Sequence, residues 1–278
     1  MESRTKKYTQ APLPFIGQKR MFISQFTRIL PQFECKTIFV DLFGGSGLLS
    51  HTTKVNRPDA TVIYNDYDNY RMRLNNIPRT NALLADLRNL VSNCVEKQRI
   101  TGDMHDAIIE RIEKEDAEGY VDYITLSASI IFSAKTVTSL EELKKQGLYN
   151  RIRQSNYTAE GYLDGVDIVA CDYKELFEKY KNDPHVVFLV DPPYLHTDVG
   201  SYTMSWKLAD YLDVLTVLKD SSYVYFTSNK SDIIELCEWI GSNKVTENPF
   251  TNASKIEFKA SLTHNSKFTD IMLYKQPA

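Results

Sequence analysis

The stretch that most narrows the possible folds runs from Thr37 to Gly47. Thr37-Ile38-Phe39-Val40 is β-branched and apolar, which reads as a strand, and it passes without a spacer into Asp41-Leu42-Phe43-Gly44-Gly45-Ser46-Gly47. The next residues, Leu48-Leu49-Ser50-His51, are suited to start a helix. A chain that turns this sharply from strand to helix needs glycines, because its backbone must bend and come close to neighbours that a Cβ would exclude. Such a junction belongs to an α/β sheet, and ligands of such sheets sit at the carboxyl ends of the strands.

Further segments repeat the pattern. Ala60 to Tyr64, Val166 to Ala170, Val186 to Val190, Ser222 to Thr227 and Ile271 to Tyr274 read as strands. Phe22, Ile23, Phe26, Ile29 and Leu30 fall at helical spacing before Pro31, as do Tyr211, Leu212, Leu215 and Leu218, and Ile233 opens another helix. Short apolar strands alternating with helices predict a mostly parallel sheet covered on both faces. From about Asn69 to Glu160 the texture changes to charged helical periodicity, which reads as an inserted subdomain. The expected division is a main domain of residues 1–70 and 161–278 and an insert of residues 71–160.

Composition removes several classes. At 278 residues the chain buries a full core without a staple. Its four cysteines are widely scattered and its five histidines include no H-E-x-x-H pair, so no metal site is expected. The longest apolar stretch, Ile124 to Ala134, is too short to span a bilayer, and no secretion signal follows Lys6 and Lys7, so a cytoplasmic protein without membrane partners is expected. A formal charge of −3 argues against indiscriminate coating of nucleic acid. One local stretch, Leu143 to Thr158, carries Lys144, Lys145, Arg151 and Arg153 without an acid, interleaved with Tyr149 and Tyr157. It fits contacts to phosphates and bases, and equally a solvated helix end and loop.

Asp66 ends the second strand about twenty residues beyond the glycine loop, where a carboxylate accepts the hydroxyls of a ribose. The pair points to an adenosine-containing cofactor and leaves dinucleotide and S-adenosylmethionine both open. The full G-x-G-x-x-G fingerprint is missing, since Gly45-Ser46-Gly47 is followed by Leu48, Leu49 and Ser50.

A second junction is chemically sharper. Val186 to Val190 ends in Asp191-Pro192-Pro193-Tyr194, where two prolines stop the strand and stiffen the turn. Their carbonyls lack competing N–H groups, Asp191 adds a carboxylate, and Tyr194 adds a flat face. A planar exocyclic amine such as adenine N6 requires this set: acceptors for its hydrogens, a ring to stack on, and no cation nearby to compete. Acceptance of those hydrogens localises the nitrogen lone pair and makes it a nucleophile. A base reaches such a pocket only by leaving the duplex.

These residues together resemble the Dam-like (D12) class of DNA adenine-N6 methyltransferases of bacteria and their phages. Pro14-Phe15-Ile16-Gly17-Gln18-Lys19 resembles the opening motif of that family, Asp41 to Gly47 its cofactor loop, and Tyr64-Asn65-Asp66 its acidic strand end. Cys171-Asp172-Tyr173 resembles its acid-aromatic pair, and Phe226-Thr227-Ser228-Asn229 and Phe268-Thr269-Asp270-Ile271 its late motifs. The resemblance implies a Rossmann-like class I S-adenosylmethionine-dependent fold whose helical insert reads double-stranded DNA. It implies a cofactor site of Phe15, Gly17, Lys19, Asp41, Phe43, Gly45, Gly47, Asp66, Asp172 and Tyr173, with Lys19 on the cofactor carboxylate. Asp191, Pro192, Pro193 and Tyr194 would hold the target adenine. The enzyme is expected as a monomer or weak dimer in a bacterial or phage-infected cell, alone or beside a restriction nuclease. Rival readings are methylation of cytosine N4 or of RNA adenine, and a catalytically silent nucleic-acid-binding protein on the same fold.

Overall fold

The computed structural model describes residues 7–34, 37–132, 135–193, 206–263 and 266–276. Its strands are β1 (Ile38–Asp41), β2 (Thr61–Asn65), β3 (Arg99–Ile100), β4 (Leu148–Tyr149), β5 (Asp167–Val169), β6 (Val186–Val190), β7 (Tyr223–Ser228), β8 (Ser254–Thr263) and β9 (Ser266–Lys275). Seven of them form one sheet in the order β5-β2-β1-β6-β7-β9-β8, and β3 pairs with β4. Pairing is parallel from β5 to β7 and antiparallel for β9 and β8. The fold is the expected α/β, Rossmann-like arrangement. The chain winds outward in one direction from β1 and in the other from β6, so the topological switch point lies between these two strands, where open sheets bind ligands.

Alternation within each strand sends side chains to two cores. Val40, Phe188, Val190 and Tyr225 pack with Tyr211, Val214 and Leu218 of the helix Leu208–Leu218. On the other face Phe39 meets Phe33, and Phe226 meets Phe22 and Phe26 edge-on. The helix Ile23–Ile29 that carries this cover passes into a 3-10 turn, Leu30–Phe33. Pro31 therefore changes the helix type and does not end the segment, because its missing N–H falls in the first turn of the 3-10 helix, where no partner is needed.

Two features differ from the sequence reading. β8 was not anticipated, and β9 is longer than the expected Ile271 to Tyr274. The last two strands also make the sheet mixed, with β8 at its edge.

The chain divides into two compact units. The larger takes the described parts of Met1–Gln10, Gln18–Asp68 and Gly161–Ala278, and holds the sheet. The smaller takes Ala11–Gly17 and Asn69–Glu160. It contains the helices Tyr70–Asn75, Ile77–Leu90, Asp103–Ala117, Tyr123–Ile130 and Leu140–Lys144 around a core that includes Leu84, Leu87, Ile108, Ile112, Leu126 and Leu143. Residues 11–17 are tied into it by the Leu13 N–H, which donates to the Tyr70 hydroxyl at 3.1 Å, and by Arg73 Nη2, which donates to Pro14 O at 2.9 Å. Arg73 itself is buried against Asp122, Nε to Oδ2 3.1 Å. No helix among the described residues is long and apolar enough to cross a membrane.

Candidate active site

Asp41 closes β1 opposite Leu189 of β6, and Asp191 follows the last residue of β6, so both acids lie at the carboxyl edge beside the switch point. Asp41 is fully buried. Ser50 Oγ donates to its Oδ2 at 2.7 Å, while Oδ1 is buried without a hydrogen-bond partner among the described residues. Burial pushes this carboxyl up to about 7; the Ser50 hydroxyl pulls it back, and the charge of Asp191 adds to the rise. Burial also raises Asp191, opposed by Lys19 and reinforced by Asp270.

Lys19 is the cation that the reading of the loop left out. Its Nζ lies 2.6 Å from Asp191 Oδ2, with both side chains largely buried. The expectation that no cation approaches the Asp191 loop is therefore corrected. A carboxylate withdrawn from water needs a paired charge, and Lys19 supplies it from just before the helix Ile23–Ile29.

The glycine loop is shaped by its neighbours. A Cβ on Gly44 would stand 2.2 Å from the Tyr64 ring and 2.7 Å from Asn65 O, so glycine is obligatory there. Gly47 takes φ +71° directly before the helix Leu48–Asn56, and Gly45 takes φ +48°. Asp66, just beyond β2, is buried. The Tyr64 hydroxyl lies 2.9 Å from its Oδ1 and 2.8 Å from Gly45 O, and its one proton serves either acceptor. Asn65 has a role that sequence reasoning missed. Its Nδ2 donates to Leu42 O and Cys171 O, both at 3.0 Å, and its Oδ1 accepts from the Cys171 N–H at 3.1 Å. One buried amide thus stitches the glycine loop to the loop that carries Asp172 and Tyr173. A polar residue at the end of an otherwise apolar strand was the available signal.

Asp172 is exposed and caps the helix Tyr173–Tyr180 by accepting from the Lys174 N–H at 2.8 Å. Phe43 and Tyr173 come together, ring centroids 4.8 Å apart, and are joined by Trp206, which no motif singled out. Pro192 is buried and Pro193 half-buried. Tyr194 lies outside the described residues. Of the late motifs, Thr227 is buried in β7, and Asp270 pairs with Ser228 at the same edge, its carboxyl raised mainly by burial.

Phe15 and Gly17 belong to the smaller unit, where Phe15 stands perpendicular to Tyr70 at 5.5 Å and Gly17 takes φ +84°. Lys144, Lys145, Arg151 and Arg153 are all exposed in that unit. Lys144 pairs with Glu113, Arg151 lies 5.9 Å over the Phe132 ring, and Arg153 lies 4.1 Å over Tyr157. No cluster of metal-ligating side chains occurs among the described residues.

A family model described as D12 class N6 adenine-specific DNA methyltransferase matches residues 15–256. A protein of Haemophilus influenzae named "Putative methyltransferase" is 40% identical over 281 residues, covering 97% of this chain and 93% of its own length.

Proposed function

The chain belongs to the D12 class N6 adenine-specific DNA methyltransferases, and from that membership we propose that transfer takes place at the carboxyl edge of β1, β2 and β6 with S-adenosylmethionine as donor. The residues fit that cofactor. Asp41 Oδ1 is a buried acceptor lacking a partner among the described residues, as a ligand ammonium would require. Asp66 stands at the strand end that suits a ribose, and Phe43 and Tyr173 offer flat faces to a purine. Lys19, beside Asp191, brings an ammonium to the same edge, the charge that suits the cofactor carboxylate. When bound, the cofactor supplies a methyl group already activated by its sulfonium.

The chain's own work is to make N6 a nucleophile and aim it. Asp191 and the Pro192 carbonyl accept the two amine hydrogens, which localises the lone pair on nitrogen. Lys19 opposes the burial that raises the Asp191 carboxyl and so favours its ionised form. Methylation of the amine releases one of its protons, and the Asp191 carboxylate is the base in reach. Positioning of this kind contributes about 7–11 kcal/mol in well-oriented reactions. The adenine enters flipped out of double-stranded DNA, with Tyr194 stacked on it, while Lys144, Lys145, Arg151 and Arg153 hold phosphates.

The pairing of Lys19 with Asp191 at the end of β6 carries this reading, because it places a charge-paired acceptor at the switch point. Asp191→Ala should abolish methyl transfer while titration calorimetry still records S-adenosylmethionine binding. A variant that methylates DNA at a comparable rate removes Asp191 from the mechanism.

A further inference from the structure

Trp206 lies beside Phe43 and Tyr173 at the margin of the core. Its indole lies 5.6 Å from Phe43 and 5.9 Å from Tyr173, tilted only 22° from the plane of the latter, and Tyr211 stands against it at 5.1 Å. Three rings thus converge from three separate crossovers, after β1, after β5 and between β6 and β7.

The aromatic cluster on the opposite face of the sheet is buried, with Phe22, Phe26 and Phe226 each at most 1% exposed. Phe43, Tyr173 and Trp206 are all half-buried at the margin of the core. Surface left open on flat apolar rings suits a planar apolar ligand. Asp66 identifies which one, since β2 lies between β1 and β5, and the ribose acid is therefore flanked by the loops that carry Phe43 and Tyr173. The Asn65 amide fixes those two loops against each other. Trp206 is set by the start of the next helix, where the Lys207 N–H donates to Asp210 Oδ2 at 2.7 Å.

We propose that Trp206 is a third aromatic wall of the site for the cofactor's adenine, beside Phe43 and Tyr173. The proposal rests on S-adenosylmethionine being the methyl donor. Removal of an aromatic stacking partner from a base costs binding by about 5- to 150-fold.

The sequence has two tryptophans, and the other, Trp239, is exposed. Trp239→Phe therefore leaves Trp206 as the single indole reporter. Addition of S-adenosylmethionine should change its emission saturably. Trp206→Leu, which keeps apolar volume without a π face, should weaken cofactor binding by about 5- to 150-fold and raise the cofactor KM, with kcat at saturating cofactor held. Trp206→Phe should restore most of the affinity and guards against a folding defect. Cofactor binding that is normal in the unaltered protein and unchanged in Trp206→Leu, with silent indole emission, overturns the role of Trp206 alone. An unaltered protein that binds no S-adenosylmethionine overturns the donor and Trp206 together.

Discussion

Asp41 shows how one side chain serves two demands. It anchors the loop through Ser50, and its burial beside Asp191 favours the protonated form. A folded pKa of about 7 against an ordinary 3.8 means that between these values the folded protein holds a proton that the unfolded chain has released. Stability from this group is complete below about pH 4 and is lost as pH rises towards 7, by on the order of 4 kcal/mol. Asp41→Asn mimics the protonated form and should remove that term. Urea unfolding should therefore show the wild type losing stability relative to the variant from pH 4 to 7, and a pH-independent difference would sink the assignment. The acids Asp41, Asp66 and Asp191 were legible in the sequence because each follows an apolar strand. The Lys19–Asp191 contact and the bonds between Asn65 and Cys171 were not, because both join residues more than a hundred positions apart and no local pattern records such adjacency.

At the level of elements, the strands buried on both faces were readable as continuous apolar runs, as with Val186 to Val190. β8 escaped because an edge strand is written differently. Lys255, Glu257 and Lys259 alternate with Ile256 and Phe258, and Lys255 pairs with Glu257 along one side at 2.5 Å. Alternation marks a strand with one face in water, and lysines discourage pairing with another chain. The first helix was readable by its apolar spacing, yet its partner surface was not. Phe22 lies edge-on to Phe226 of β7 at 5.3 Å and to Phe258 of β8 at 4.9 Å, so it pins the helix to the far half of the sheet. Phe22→Ala should lower unfolding stability by about 3–5 kcal/mol, measured in urea. A loss below about 1 kcal/mol would mean that the helix is held elsewhere.

For the molecule as a whole, the sheet order explains why chemistry gathers where it does. β1 and β6 are neighbours whose connections leave in opposite directions, and Asp41 and Asp191 stand at this switch point, where open sheets bind ligands. Acids at the ends of β1, β2 and β6 thus come to one edge of the sheet although the sequence spreads them from residue 41 to residue 191. The smaller unit has its own core and exposes Lys144, Lys145, Arg151 and Arg153. Inclusion of Ala11–Gly17 in that unit had no signal in the sequence, since it depends on buried partners such as Tyr70 and Arg73. The central claim is that Asp191 directs methylation to adenine N6. It is tested most directly by incubating DNA with deuteromethyl S-adenosylmethionine and analysing the nucleosides by mass spectrometry, for the wild type and for Asp191→Ala. The expected result is label in N6-methyldeoxyadenosine alone with the wild type and in no nucleoside with the variant; label in N4-methyldeoxycytidine, or equal labelling by the variant, would contradict the account.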